Sequence, residues 1–349
     1  MNYQYNYSVA EPIPLTEEQL KEQQKKIEHR ELRNKCISTG LLCLISFFAL
    51  YASAIFFVSF VSSTLAGTPF MKDSDYTLIP DMLVNSISSL LGFGVVGVIF
   101  AKITKTDFTQ VFPHRKTSFK KTSAVVIIGF VVCICANYIA QIFITDFNLF
   151  GIDPTYSLGS TGSTSIIEHI VYILSVAFVP AVTEELVYRG LILGRLRKFG
   201  DGFALVVSAF LFGIMHGNFV QAPFAFVVGL AAGWALIYTG SIIPSMLIHG
   251  FNNLMSVIGD IAYENCGKIG LTENVIDIIY LSVYLIMFAF AIILVCKLSK
   301  RDKNLFVFKK YEGLLDFKAR IRIFATSATI IIFTVLCLFE CLMMLNIIT

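Results

Sequence analysis

The stretch that decides the fold is TSIIEHIVYILSVAFVPAVTEELVYRG, residues 164–190, a long apolar run that ends in two carboxylates and a guanidinium. A helix of about 20 apolar residues crosses the hydrocarbon core of a bilayer. Ionisable groups at membrane depth are costly, so Glu184, Glu185 and Arg189 mark a candidate functional site. The run therefore predicts a membrane-spanning helix that carries chemistry.

The composition extends this prediction to the whole chain. Of 349 residues, 56% are hydrophobic and 15% are charged, with a mean hydropathy of +0.74, whereas soluble domains average about 25% charged residues. We predict an integral membrane protein, an all-α, polytopic transmembrane helix bundle with about eight or nine spans. The other apolar runs are 36–66, 79–101, 122–146, 219–240, 273–296 and 323–348, with two shorter runs at 202–217 and 241–258.

Charge predicts the domain organisation and the orientation. Residues 1–35 form a polar cytoplasmic tail, expected to be a frayed or surface-lying helix, and residues 36–349 form one transmembrane domain with its motif core at 180–254. Lys and Arg accumulate in cytoplasmic loops. With a cytoplasmic N-terminus, all of the 27 Lys and Arg except Lys72 and Lys268 fall on inner segments. Topology thus accounts for the basic residues, and we expect no nucleic-acid partner.

The first motif follows Pro180, which lacks a backbone donor and is expected to disturb its helix. A carbonyl freed in this way needs another partner inside a membrane, and the kink would open space for water. Glu185 and Arg189 are four residues apart and share a helix face, so they predict a structural clamp. Glu184 points about 100° away and is the candidate working carboxylate. The alternative is that all three form a solvated cap at the membrane boundary.

The second and third motifs supply histidines and amides. His216 ends an apolar run on the same face as Phe212, and His249 lies inside an apolar span with Asn253 one helical turn further on. Asn252 fits the spacing as well, so spacing leaves the choice of asparagine open. Each group alone is typical of packing or of interhelical hydrogen bonding. Their concentration in one part of the chain favours a shared site.

These side chains together permit hydrolysis of a peptide bond. A carboxylate can accept a proton from water that a histidine holds in place, and a second histidine with an amide can stabilise the resulting oxyanion. Glu184, His216 and His249 are also legitimate zinc ligands. Since the chain lacks the His-Glu-x-x-His motif of common zinc proteases, we expect no cofactor, with zinc as the alternative.

The motifs resemble those of a known family. The stretches EELVYRG (184–190), FGIMH (212–216) and HGFNN (249–253) are similar to the Glu-Glu-x-x-x-Arg, Phe-x-x-x-His and His-x-x-x-Asn motifs of the CAAX protease and bacteriocin-processing family. This family is also called Abi, or type II CAAX prenyl endopeptidases. The resemblance covers about residues 180–254 and implies an α-helical membrane bundle.

The resemblance also implies residue roles. Glu184 would be the general base, His216 its partner on the attacking water, and His249 with Asn253 the oxyanion donors. Glu185, Arg189 and Phe212 would give structural support. We therefore expect an intramembrane endopeptidase, in a bacterial plasma membrane, that cleaves a peptide or a membrane-tethered protein near the cytoplasmic leaflet.

Two other classes of function remain open. A non-catalytic immunity or scaffold member of the same fold would have the same hydropathy. A proton-coupled transporter would also bury Glu and His, but it predicts inverted repeats, and the motifs have no second copy in the chain.

The simple topology has one geometric difficulty. If 202–217 crossed outward as a regular span, His216 would lie about 20 Å from Glu184. We therefore expect 202–217 to be tilted or to start deeper, with residues 191–202 partly embedded, so that the motifs meet.

Other polar and small residues receive weaker assignments. The small residues from Gly229 to Gly233 predict close helix packing without a catalytic part. Glu168 and His169 are interpreted either as lining an access path or as an interface cap. No role is predicted for Asp277 or Glu340.

Overall fold

A computed structural model describes residues 15–65, 78–153 and 165–347. These residues are almost entirely helical, which confirms the predicted all-α membrane bundle. The N-terminal helices are α1 (Glu17–Leu65), α2 (Leu78–Ser89, π-helical Leu90–Val95 and Val96–Ile103), α3 (Phe108–Val111) and α4 (Phe119–Leu149).

The motifs lie on the next four helices. Helix α5 is long and changes its winding repeatedly, through Ile166–Ile173, π-helical Leu174–Phe178, Val179–Glu185, π-helical Leu186–Leu193, Gly194–Leu196 and 3₁₀-helical Arg197–Phe199. It is followed by α6 (Asp201–Ile214), α7 (Gln221–Thr239) and α8 (Ile243–Asn265).

The chain ends in α9 (Glu273–Arg301), α10 (Phe317–Ala325) and α11 (Ala328–Met343). After α4 and after α11, two short strands pair antiparallel, β1 (Ile152–Asp153) with β2 (Asn346–Ile347).

Length and composition identify fewer membrane spans among the described helices than the eight or nine that the sequence predicts. Six helices in the described ranges are long and apolar enough to cross a membrane, or seven if α10 and α11, bent by 67°, form one broken span. Helix α6 has only 14 residues, about 21 Å, which is short of the roughly 30 Å hydrocarbon core. Helix α8 is long enough but carries several polar side chains. The predicted count of eight or nine is therefore not confirmed.

Helix α1 runs without a break across the expected boundary between residues 35 and 36. The polar residues from Glu17 onward thus extend the first membrane helix and do not form a separate surface-lying helix. Leu32 and Cys36 are buried on either side of that boundary. Packing against the rest of the bundle stabilises this extension, which composition alone could not reveal.

The four inner segments that carry the Lys and Arg residues meet at one end of the bundle, called here the basic end. They are residues 21–35, 102–121, 189–198 and 297–322. Their contacts join every segment to another and involve both ion pairs and backbone hydrogen bonds. They are Lys198 with Glu31 (2.6 Å), Leu314 N–H with Glu28 (2.8 Å), Lys121 with Asp302 (3.5 Å) and Lys309 N–H with Asp201 (3.0 Å). The common end is what the predicted topology requires. That this end faces the cytoplasm stays a prediction.

Helix α7 packs against α4, α6 and α8 in the middle of the bundle. Its small residues permit this: a Cβ at Gly229 would lie 2.9 Å from the Cα of Ala209 on α6. A side chain there would therefore push two helix backbones apart, as expected for a small-residue packing motif.

Pro180 frees backbone carbonyls inside α5, as the sequence predicts, and side chains of two other helices bind them. The carbonyls four and five residues before Pro180 belong to Val176 and Ser175. Asn253 of α8 donates its amide to Val176 O at 3.0 Å, and Asn85 of α2 donates to Ser175 O at 3.4 Å. The irregular winding of α5 is thus held in place by carboxamides.

The turn from α5 to α6 is buried, as the geometry of the motifs requires. Leu191, Leu193, Leu196 and Phe199 are almost completely inaccessible. Helix α6 therefore starts within the protein, and its C-terminal residues come back alongside Glu184.

We predict an energetic coupling between Asn253 and Pro180. Asn253→Leu should destabilise the protein by about 1–3 kcal/mol because it leaves a buried carbonyl without a donor. In Pro180→Ala the new N–H can bind Val176 O, so the same change should cost about 1 kcal/mol less. Unfolding in detergent of the four proteins of this cycle measures the coupling. As a control, Ser208→Ala removes a hydrogen bond to Tyr188 O and should lower the free energy of unfolding equally in the wild type and in Pro180→Ala. If Asn253→Leu also costs the same free energy in both proteins, Asn253 does not compensate for Pro180.

A pair of glycines tests the central packing. Gly229→Ala should lower stability by about 1–3 kcal/mol because its Cβ meets a backbone atom. Gly202→Ala has no atom within 4 Å of the new Cβ and should be neutral or stabilising by roughly 0.5–1 kcal/mol. Thermal midpoints in one detergent compare the two variants, and equal midpoints would contradict the close approach of α6 and α7.

Candidate active site

Glu185 and Arg189 form an ion pair inside α5. Arg189 Nη1 lies 2.8 Å from Glu185 Oε1, and both side chains are 0% exposed. The guanidinium stacks over the Phe212 ring at 4.3 Å, and the absence of a side chain at Gly229 leaves room for it. This burial rules out the alternative of a solvated cap and agrees with the predicted clamp.

His249 of α8 binds the same carboxylate. Its Nδ1 lies 3.0 Å from Glu185 Oε1. Since an ionised carboxylate only accepts hydrogen bonds, Nδ1 carries a proton. In the tautomer with a single ring proton, Nε2 is therefore left as an acceptor. Glu185 therefore orients His249 as well as pairing with Arg189. Sequence analysis missed this second role, because adjacency to Glu184 gives no signal about which carboxylate meets the histidine.

Glu184 faces the free nitrogen of His249. Its Oε2 lies 4.0 Å from His249 Nε2, which is too long for a direct hydrogen bond and close enough for one water to contact both atoms. This oxygen is buried and has no hydrogen-bond partner among the described residues. Glu184 is thus the carboxylate of the pair that is free to act on a ligand, as the helix geometry predicts.

His216 is placed by its own helix. Its Nδ1 lies 2.8 Å from Phe212 O, and because a carbonyl cannot donate, Nδ1 carries the proton and Nε2 is the acceptor. The Phe212 ring contacts both imidazoles edge-on, at 4.9 Å for His216 and 5.5 Å for His249. Phe212 therefore fixes the two histidines and Arg189 relative to one another.

Asn253 lies outside this cluster. Its amide donates to Val176 O, and Asn252 Nδ2 donates to Asn253 Oδ1 at 3.3 Å. The structure gives Asn253 a contact that supports α5 and does not bring its side chain to Glu184. No contact of Asn253 in this arrangement supports its predicted role as an oxyanion donor.

Glu184, His216 and His249 are the three groups of the alternative zinc site. Within the described ranges, no three His, Cys, Asp or Glu side chains are grouped so that they could hold a metal ion. Glu185 is already engaged by Arg189 and by His249 Nδ1. Glu184, His216 and His249 in this geometry do not fit a three-ligand metal centre.

The cluster draws on three helices, α5, α6 and α8. Phe212 lies eleven residues along α6 from Asp201, about 16 Å from the basic end. The side chains thus meet well inside the bundle.

One part of the chain matches a known protein family. The family model of the type II CAAX prenyl endopeptidases, Rce1-like, matches residues 166–255, which contain the whole cluster. No curated protein and no solved structure matches the chain. Residues 166–255 are thus similar to the Rce1-like type II CAAX prenyl endopeptidases, a family of CAAX-type proteases, and this confirms the resemblance drawn from the three motifs.

Proposed function

We propose that this chain is an intramembrane endopeptidase that hydrolyses a peptide bond with a water activated by Glu184. The observation that carries the proposal is the buried, unpartnered Oε2 of Glu184 facing His249 Nε2 at 4.0 Å. Burying a carboxylate inside a membrane costs free energy, and residues of this kind therefore usually mark a functional site. The family match supports the same class of reaction.

The first step is attack of water on the substrate carbonyl. Glu184 accepts one proton of a water that lies between its carboxylate and the imidazoles, and the water oxygen bonds to the carbonyl carbon. His216 Nε2 accepts the other O–H of that water and holds its orientation. Negative charge then develops on the former carbonyl oxygen.

The second step depends on the protonation of His249. Donation to the oxyanion requires a proton on Nε2 as well as on Nδ1. His249 takes this second proton from solvent before the water attacks, and keeps it throughout the cycle. Glu185, which binds Nδ1–H, stabilises the imidazolium that results. When the intermediate collapses, Glu184 returns its proton to the leaving amine, and the products are one carboxylic acid and one amine.

The substrate that fits this site is a peptide or a membrane-tethered protein. With a cytoplasmic N-terminus, the basic end faces the cytoplasm, and cleavage takes place in the region between that face and mid-depth. The bilayer is then both the solvent of the enzyme and the anchor of its substrate.

Neutralising the working carboxylate tests this function. Glu184→Gln should lower kcat by about 10²–10⁴-fold because general-base catalysis is lost, while the thermal midpoint changes little. Cleavage of a library of membrane-tethered peptides, analysed by mass spectrometry, measures the effect. Asp277→Asn, which neutralises a carboxylate bonded to Tyr263 away from the cluster, should retain full activity.

The remaining outcomes of this assay are equally informative. Cleavage that survives Glu184→Gln would overturn the mechanism, and a wild type without any cleavage would favour the non-catalytic immunity or scaffold role. Activity that a chelator removes and zinc restores would replace the metal-free mechanism with a metal-dependent one.

A double variant separates the two roles of Glu185, which are to orient His249 and to stabilise the fold by pairing with Arg189. Removing one partner of a buried ion pair typically destabilises a protein by 3–5 kcal/mol, whereas replacing both partners by apolar residues is often close to neutral. Glu185→Leu with Arg189→Met should therefore cost only about 1–3 kcal/mol, the penalty for the buried His249 Nδ1–H that loses its acceptor. The same loss should lower kcat at least tenfold, because His249 is no longer oriented. A double variant with normal kcat would show that Glu185 serves stability alone.

A further inference from the structure

The N-terminal turn of α5 buries a carboxylate that the proposed mechanism does not use. Glu168 is 1% exposed, and neither of its carboxylate oxygens has a hydrogen-bond partner among the residues described. The helix N-terminus favours negative charge at this position but leaves both oxygens unbonded. Glu168 lies sixteen residues before Glu184, about 24 Å along the helix, at the end of the bundle opposite the basic end.

Polar groups of α8 follow α5 from Glu168 towards Glu184. Tyr172, one turn after Glu168, donates its hydroxyl to Asp260 at 2.8 Å. The next contact is Asn253 with Val176 O, and His249 with Glu185 completes the row. The two helices run antiparallel, so these three contacts follow one another along α5.

Hydroxyl groups of α2 meet α5 over the same length of the helix, and Met82 of α2 packs in one cluster with Tyr172 of α5 and Val257 of α8. Ser86 donates to Ser175 at 2.8 Å, and Ser89 lies 2.8 Å from Thr183. Thr183 donates its own proton to Val179 O, so Ser89 is the donor of that pair. Thr183 is the residue directly before Glu184.

Interhelical hydrogen bonding explains the paired groups but not the whole set. Serine and threonine pairs commonly join membrane helices. Glu168 and the buried hydroxyl of Ser88, however, have no partner within the described ranges. A buried polar group without a hydrogen bond is costly, and in proteins water normally supplies the missing bond.

We propose that these groups form a polar seam that conducts water to the reaction centre. The seam comprises Glu168, Tyr172, Ser175, Thr183, Ser86, Ser88, Ser89, Asp260 and Asn253, and its mouth is at Glu168. Hydrolysis consumes one water for each bond cleaved. Hydroxyl and carboxylate groups can form hydrogen bonds with water molecules that move along the seam. That this water is used in hydrolysis rests on the proposed function. The existence of the seam does not depend on that function.

Thiol labelling tests the seam without any need for activity. In a variant whose eight native cysteines are replaced by serine or alanine, Ser175→Cys lies on the seam and Ser208→Cys is an off-seam control of equal burial, 2% against 1% exposed. Methanethiosulfonate reagents react with the thiolate, which forms only where water reaches the sulfur. The quaternary ethyltrimethylammonium reagent, which stays charged and does not cross the bilayer, is added to sealed vesicles from the side opposite the basic end.

We expect the Ser175→Cys thiol to react at least tenfold faster than the Ser208→Cys thiol. Adding Glu168→Leu should slow the Ser175→Cys reaction at least tenfold, because it closes the mouth. Equal rates at the two positions, no effect of Glu168→Leu, or reaction only from the basic side would each overturn the seam.

A second measurement uses the native chain, so that the result does not depend on folding of the cysteine-free variant. Hydroxyl-radical footprinting should oxidise Tyr172 several-fold faster than Tyr188, although both are buried, 3% and 1% exposed. Equal oxidation would count against the seam.

The peptidase assay then links the seam to catalysis. Glu168→Leu should lower kcat and leave KM unchanged, since water and not peptide is limiting. Glu184→Gln should abolish cleavage but label at the wild-type rate in the Ser175→Cys background. Failure of the proposed function would therefore remove cleavage alone, whereas failure of the seam would remove the labelling difference.

Discussion

The buried carboxylate of Glu185 is the constraint on which the rest of the site depends. It binds Arg189 at 2.8 Å and His249 Nδ1 at 3.0 Å, and so ties α5 to α8 within a fully buried environment. Arg189 in turn lies over Phe212 of α6. Because one carboxylate holds a cation and an imidazole together, three helices must adopt a single relative position. Glu184 is therefore not needed to hold the helices together.

The irregular winding of α5 serves the same end. A regular helix through residues 174–193 would have no free carbonyls, and Asn85 and Asn253 would be left as buried amides without acceptors. Pro180 creates the acceptors, and the neighbouring helices supply the donors. The same bonds hold α2 and α8 at the sides of α5, where the polar seam runs. The irregular winding of α5 and the positions of these polar groups are therefore one structural feature.

Much of the fold and the site could be predicted from the sequence. The apolar runs predicted the helical membrane bundle, and helix periodicity separated Glu184 from the pair Glu185 and Arg189. Leu191, Leu193, Leu196 and Phe199 in the turn after α5 are buried by the rest of the protein, and the expectation that this turn also lies in the membrane stays a prediction. The span count could not be predicted, because a short apolar run does not reveal whether its helix reaches across the bilayer. The unbroken extension of α1 depends on contacts with distant residues such as Leu314.

The sequence by itself determined the chemistry available to this protein: an acid, two imidazoles and amides, carried on apolar helices that only a membrane accommodates. The tertiary structure alone decided which groups meet. From the sequence, His249 could have paired with either of two adjacent carboxylates, and Asn253 could have faced the site. The packing of α8 against the irregularly wound α5 pairs His249 with Glu185 and Asn253 with Val176 O. Spacing along one helix sets the direction of a side chain, whereas its partner depends on how a second helix crosses, and that crossing is set by packing over the whole bundle.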